Sequence, residues 1–478
     1  MSAPVTVRRA LAVSVALLVA IGSAETASAQ SRRPQRRTPP AQAQPGQQPG
    51  ASTPAPAGQP EYEASPYIKR VKPRRWTFTA QYFIGASEWL EGQDGVLVPK
   101  HDTWQFDSAT LVFPAVPETA SSILEVRGPS DKEVPAVSGT VELADRVLAD
   151  EVEIVAQGVG GGPLPSGTWR AQWQVEPPEQ GSHIVRELEF SVSTAQTCYE
   201  TVFDEAGASQ VDWPTGPWPP VAAAAFEPQM FVDFDMQGQG YDMSPVSSLI
   251  REWTEGKTEQ QMRQEVKPVT LAKFLAGQVV EHMQVNGEGL AYDRTGLWQG
   301  FDTGGAAEAA ATGRGSELDI ACLLLAVYRG AGIPSRLVIG YDKEGEDDQV
   351  YLKKTEGAGD IRVWVEFCLY DEANKTVGWV PVDIAEMRSQ QSRMPPNYLD
   401  PSRPLKYFGN HDELDNVAPI AFHFHPPTTV RSYGSPALWG WFVTPTPPGR
   451  AVQRADLSVT TSPSGGKSES RLPARFLD

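Results

Sequence analysis

A chain of 478 residues with 40% apolar content and 13 tryptophans carries enough apolar material for two or three domains with substantial cores. It sets 59 acidic side chains against 41 basic ones, and the formal net charge of -18 argues against a nucleic-acid partner. The cysteines, Cys198, Cys322 and Cys368, are an odd and sparse set, which argues against a disulfide framework.

Residues 1–29 open with Arg8 and Arg9, continue with an apolar run over 10–22 and end on Ala27-Ser28-Ala29. A charged start, an apolar centre and a small-residue cleavage site together predict a secretory signal peptide. The mature protein is then expected to begin at Gln30 and to be periplasmic or secreted. No later stretch reaches the roughly 18 uninterrupted apolar residues of a membrane-spanning helix, so no span is expected. Residues 30–75 are rich in Pro, Gln and Arg and are predicted to be a disordered linker. Its cations, Arg32, Arg33, Arg36 and Arg37 and then Lys69, Arg70, Lys72, Arg74 and Arg75, read either as a solvated spacer or as a basic tether for an anionic surface or for the acidic body of the same chain.

From Trp76 the apolar period becomes two, as in Trp76, Phe78, Ala80 and Tyr82, in Trp169, Ala171, Trp173 and Val175, and in Leu188, Phe190 and Val192. With Gly- and Pro-rich turns between the runs, residues 76–205 are predicted to form a β-sandwich. Residues 206–265 read as a linker with Trp-Pro pairs followed by an accessory helix near 247–255. A second helix over 268–283 has Leu271, Phe274, Leu275, Val279 and Met283 as its core stripe.

The most informative stretch is 313–383. Between positions 317 and 331 the only charged residues are Glu317, Asp319 and Arg329, so this is a helix buried nearly all round. Ser316 with Asp319 three residues later is a capping-box start, and Gly330, Gly332 and Pro334 mark the end. Strands are predicted at 336–341 and 361–370, followed by a hairpin into 378–383.

These residues resemble the transglutaminase-like superfamily, a relative of the papain-like cysteine proteases. Gly315, Asp319, Ala321, Gly332-Ile333-Pro334-Ser335-Arg336, Gly340-Tyr341, Trp364, Glu366, Gly378-Trp379, Pro381 and Asp383 fall into the register of the family pattern. The resemblance implies an α+β fold: an N-terminal β-sandwich, then over 266–442 a transglutaminase-like domain whose central buried helix packs on an antiparallel sheet. The segment TLVFPAVPET resembles the β-domain that precedes bacterial members, and YFGNHDELDNVAPIAFHF their closing strands, with Trp439, Trp441 and Phe442 available to complete the core. Residues 443–478 are expected to be a disordered tail.

The resemblance also locates the catalytic triad positions. Asp383 is retained, but the Cys position holds Glu317 and the His position Arg362. A Cys at a helix N-terminus is activated by the helix dipole and a neighbouring imidazolium. Glu317 and Arg362 reproduce that charge pair without its reactivity. A carboxylate attacking an amide makes a mixed anhydride, and an Arg with a pKa above about 12 does not shuttle protons. A three-membered ion cluster of Glu317, Arg362 and Asp383 is therefore expected.

Other nucleophiles fit less well. Cys322 lies about 140° round the helix from position 317, Cys368 lies roughly 20 Å along the strand from Arg362, and the capping role of Ser316 accounts for it. His423 and His425, with His411 and Asp412 upstream, lack a third metal ligand at fixed spacing. The acidic run 344–348 lacks the order of a calcium loop. No metal or cofactor is expected. Two readings follow: a binding or scaffolding protein that recognises peptide or protein in the cell envelope through an old substrate cleft, or an active protease, amidase or transglutaminase using a non-standard residue.

Overall fold

The structure is a computed structural model. It describes residues 63–86, 89–91, 97–99, 105–114, 116–125, 137–143, 146–149, 154–155, 168–174, 187–292, 298–342, 360–391, 405–424, 432–433, 438–446 and 451–461. The expected signal peptide, the linker up to residue 62, the acidic run 344–348 and His425 lie outside these residues.

Towards the N-terminus, strands β1 (Ile68–Ala86), β2 (Gln105–Pro114), β3 (Ser122–Leu124), β4 (Val137–Leu143), β5 (Thr168–Gln174) and β6 (Glu187–Phe203) belong to two antiparallel sheets. β1 and β6 pair from Ile68 opposite Phe203 to Gly85 opposite Glu187, and β3 and β4 extend the sheet from β6. In the second sheet β5 pairs with β2.

Strand β1 begins at Ile68, ahead of the expected start at Trp76 and inside the expected linker. Arg70 is buried and bonds to Glu118 (2.7 Å) and to the carbonyls of Thr119 and Ala120. Lys72 pairs with Glu200, Arg74 with Asp415 and Arg75 with Glu125. These four cations are matched inside the fold, so the charge run extends a strand here and is no free tether.

The helices follow. They comprise α1 (Ser244–Trp253), α2 (Glu259–Glu265), α3 (Pro268–His282), α4 (Gly305–Thr312) and α5 (Glu317–Gly330). In α5 every residue from Leu318 to Tyr328 is buried, as its composition requires. The capping box forms as predicted: Asp319 N donates to Ser316 Oγ at 3.2 Å, and Ser316 N donates to Asp319 Oδ2 at 2.7 Å. Gly313, left-handed at φ 63°, ends α4 and turns the chain towards the start of α5.

Strands β7 (Ser335–Asp342), β8 (Asp360–Asp371) and β9 (Thr376–Val382) form an antiparallel meander, after which α6 (Ile384–Gln391) and β10 (Val417–Ala421) complete a sheet of order β9-β8-β7-β10. Along β8, Ile361, Val363, Val365, Phe367 and Leu369 alternate with Arg362, Trp364, Glu366, Cys368 and Tyr370. Both faces are covered: Val363, Val365 and Phe367 join the core with α5, and Trp364 packs with Val116, Leu414, Val417 and Phe422 on the other side. Gly340, opposite Arg362, leaves room for this packing, since a Cβ there meets Val417 at 2.5 Å and Trp364 at 2.8 Å.

The expected disordered tail contributes strands to both N-terminal sheets. β11 (Gly440–Thr446) pairs with β2, and β12 (Ala451–Thr461) pairs with β1 along Ala86 to Trp76. Their backbone groups are satisfied by strands more than 300 residues upstream, a pairing that no local pattern announces. Trp439 and Trp441, as expected, are buried in the core.

Candidate functional site

Three elements converge around Arg362. β8 carries Arg362, Asp383 directly follows β9, and the segment 405–416 crosses beside them. Asp383 is almost fully buried and both its oxygens are engaged: Oδ1 accepts the Glu386 backbone N–H at 3.1 Å, capping α6, and Oδ2 accepts Arg362 Nε at 2.8 Å and lies 3.2 Å from His411 Nε2. Burial alone would raise the Asp383 carboxyl, but Arg362 and the His411 hydrogen bond outweigh it and hold the group well below the usual carboxylate range.

Arg362 serves more than one acid. Nη1 lies 3.3 Å from Asp342 and 3.1 Å from Glu413, Nη2 also reaches Glu413 at 3.1 Å, and Glu386 is 3.9 Å away. Burial pulls the guanidinium down, while Asp383 and Asp342 push it further above its already high ordinary value, so it stays charged. Glu386 moves the other way, raised by burial and by Asp383.

His411 is buried against Asp383, with the Tyr407 ring 4.8 Å from its own. Its Nδ1 accepts the Glu413 backbone N–H at 3.2 Å, and its Nε2 faces both Asp383 Oδ2 at 3.2 Å and Arg362 Nη2 at 3.3 Å. Both ring nitrogens are engaged.

Glu317, the first residue of α5, is exposed. Among the described residues it is not one of the carboxylates paired with Arg362, so the expected three-membered cluster is replaced by one built from Asp342, Asp383, Glu386 and Glu413. The geometric reason is the position of Glu317 at the solvent edge of the helix, whereas the others come from β7, α6 and the 405–416 segment that wall the Arg. Two amides at the helix start are also engaged: Glu317 N donates to Gly287 O at 3.0 Å, and Asp319 N to Ser316 Oγ. Ser316 Oγ is held by Asp319 at 2.7 Å. The buried thiol of Cys322 is pushed far up by burial, and that of Cys368 to about 12. Among the described residues no group of three His, Cys, Asp or Glu side chains is arranged to hold a metal ion.

Sequence reasoning placed Arg362 and Asp383 correctly beside each other and did not assign His411, Asp342, Glu386 or Glu413 to the site. The signal available was the run His411-Asp412-Glu413 in the segment that closes the sheet, and Asp342 directly after Gly340-Tyr341.

Other residues of the family pattern have a structural occupation. Arg336 pairs with the fully buried Glu366 through Nε at 2.9 Å and Nη2 at 2.6 Å, and its guanidinium lies 4.1 Å from the Trp379 ring and 4.4 Å from that of Phe422. Glu366 Oε1 also accepts the Ala120 backbone N–H at 2.8 Å, and Arg336 Nη2 donates to Glu118 O at 3.1 Å. This pair bolts the N-terminal segment around residues 118–120 to the outer face of the β7–β10 sheet.

A buried helix packed on an antiparallel sheet, with an Asp after one strand paired to a side chain on its neighbour, fits the transglutaminase-like and cysteine-protease-like fold. Residues 256–384 match the model of the transglutaminase-like superfamily, and the chain carries a transglutaminase-like domain there. A solved structure described as a "putative cysteine protease" from Cytophaga hutchinsonii is similar at 11% identity and a TM-score of 0.41, over 82% of this chain and 92% of that one. A second, a "putative protease" from Parabacteroides distasonis, is similar at 9% identity and a TM-score of 0.19, over 64% of this chain and 57% of that one. No curated protein sequence matches the chain. Among the described residues no helix is long and apolar enough to cross a membrane.

Proposed function

We propose that this is an exported, catalytically silent transglutaminase-like protein that binds peptide or protein in the cell envelope through the former substrate cleft. The observation that carries the reading is Arg362: where the family has an imidazole, a guanidinium ion-paired to Asp383 occupies the place. It donates no proton to a leaving amine, and the carboxylate of Glu317 at the nucleophile position lacks a productive route to an acyl-enzyme. Ser316, Cys322 and Cys368 are engaged or buried. The leader-like residues 1–29 support export, and the alternation over 76–205 supports packing of the two N-terminal sheets as a β-sandwich.

The test is to incubate the full chain with glutamine- and lysine-containing peptide libraries, with and without an added amine, following mass change and binding in the same samples. Retention of peptides without cleavage, deamidation or cross-linking is the expected result. Turnover that disappears in Glu317→Ala overturns the silent reading, and the absence of any retained peptide overturns the binding one.

A further inference from the structure

At the opposite end of α5, about 20 Å along the helix from Glu317, the last turn forms the floor of a cavity of about 610 Å³. α1 supplies one wall, and the start of α2 with the loop before it supplies the other. Its apolar lining is Phe226, Met243, Val246, Ile250, Met262 and Ala326. A volume of this size suits a small molecule, and flexible Met side chains adapt their shape to a ligand.

The charges lining the cavity are not balanced. Asp233 is matched by Arg329 at 2.9 Å, Lys257 by Glu265 at 2.6 Å and Glu259 by Arg263 at 2.6 Å. Arg251, exposed on the α1 wall, makes no ion pair among the described residues. The lining is therefore net positive in a chain of net charge -18. The negative end of the α5 dipole is muted on this side, because Ala331 N donates to the carbonyls of Val327 and Tyr328, and Gly332 N to that of Arg329.

We infer that this cavity is a second binding site, independent of the Arg362 cleft, for a small amphipathic monocarboxylate whose apolar body lies between α1 and α5 and whose carboxylate pairs with Arg251. The pairing is partly exposed, so most of the affinity comes from apolar burial, and the ion pair supplies the discrimination between charged and uncharged ligands.

Calorimetric titration of the full chain with octanoate, and with 1-octanol as the uncharged analogue, tests this. Octanoate is expected to saturate one site and to bind about tenfold more tightly than 1-octanol, a difference of about 1.4 kcal/mol. Arg251→Gln, at an exposed position, should leave the fold intact and bring octanoate down to the level of 1-octanol. Ser247→Trp, which fills the mouth from α1, should abolish both. Thermal unfolding of each variant reports whether the fold is kept. Absence of saturable octanoate binding, equal binding of the two ligands by the unsubstituted protein, or octanoate binding unchanged in Arg251→Gln overturns the inference.

Discussion

Two arginines on neighbouring strands of one sheet do opposite things. Arg336 faces Glu366 across β7 and β8, and four residues further along β7, Gly340 faces Arg362. Among the described residues Arg336 pairs with one acid, Glu366, has the rings of Trp379 and Phe422 beside its guanidinium and donates to the backbone carbonyl of Glu118. Arg362 is shared among four carboxylates, some of which reach solvent: Glu366 is fully buried, while Glu413 is 42% exposed. A matched pair in a dry place fixes architecture, whereas surplus charge at a partly open one belongs to a site whose residues were not selected for stability alone.

Removing Arg336 should therefore have the largest effect. Arg336→Met leaves Glu366 buried without its cation and is expected to cost about 3 to 5 kcal/mol, measured by urea unfolding. Adding Glu366→Leu should return some of that loss, and a double variant no better than the single one would mean that the aromatic stacking, not the charge, is what the Arg supplies. Arg362→Ala comes next, at about 2 to 3 kcal/mol, because water reaching Glu413 and Asp342 screens some of the exposed charge. Arg362→Ala with Asp383→Asn should recover some of it, since the amide keeps a group able to cap α6 while removing the buried charge. Equal stability of wild type and Arg362→Ala would break the comparison.

The same contrast has a pH signature. The Asp383 carboxyl is depressed in the folded protein, so the unfolded chain takes up the proton first as pH falls. The stabilisation is fully present above the unfolded pKa of about 4 and is lost as pH falls towards the folded value. Glu386, whose carboxyl is raised, contributes with the opposite sign: its cost is present above its folded pKa and is relieved on acidification. Arg362→Ala removes the main cause of the Asp383 depression. The stability gap between wild type and this variant should be widest at neutral pH and narrow below about pH 4. A gap independent of pH would assign the Arg362 contribution to packing.

What was legible in the sequence was local. The capping box at Ser316, the all-round apolar character of α5, the β8–β9 hairpin and the adjacency of Arg362 to Asp383 all follow from residues close in the chain or from a motif. What was not legible was long-range. Glu366 looks like a polar-face residue until Ala120, 246 positions away, is found donating to it. Arg70 to Arg75 look like a solvated run until their acids, drawn from positions 118 to 415, are placed beside them. β12 reads as a polar tail because its partner lies near the other end of the protein. His411 carried no spacing relative to Asp383 that a linear motif would register.

The smallest effect is expected at the nucleophile position itself. Glu317 is exposed at the first helical position, where a carboxylate gains about 0.3 to 1 kcal/mol from the helix dipole and an exposed ion pair adds no more than about 1 kcal/mol. Glu317→Ala should accordingly shift the urea midpoint by a small fraction of the shift caused by Arg362→Ala, and leave the acid-labile component of stability unchanged. The substitution removes no cap, since Ser316 and Asp319 provide the capping box, and opens no cavity in the buried face of α5. If Glu317→Ala instead costs as much as Arg362→Ala, Glu317 is bound into the Arg362 cluster and the three-membered arrangement expected from the sequence is the correct one. A small effect means that the position carries little structural duty, so that loss of peptide retention in Glu317→Ala would report on the cleft and not on the fold.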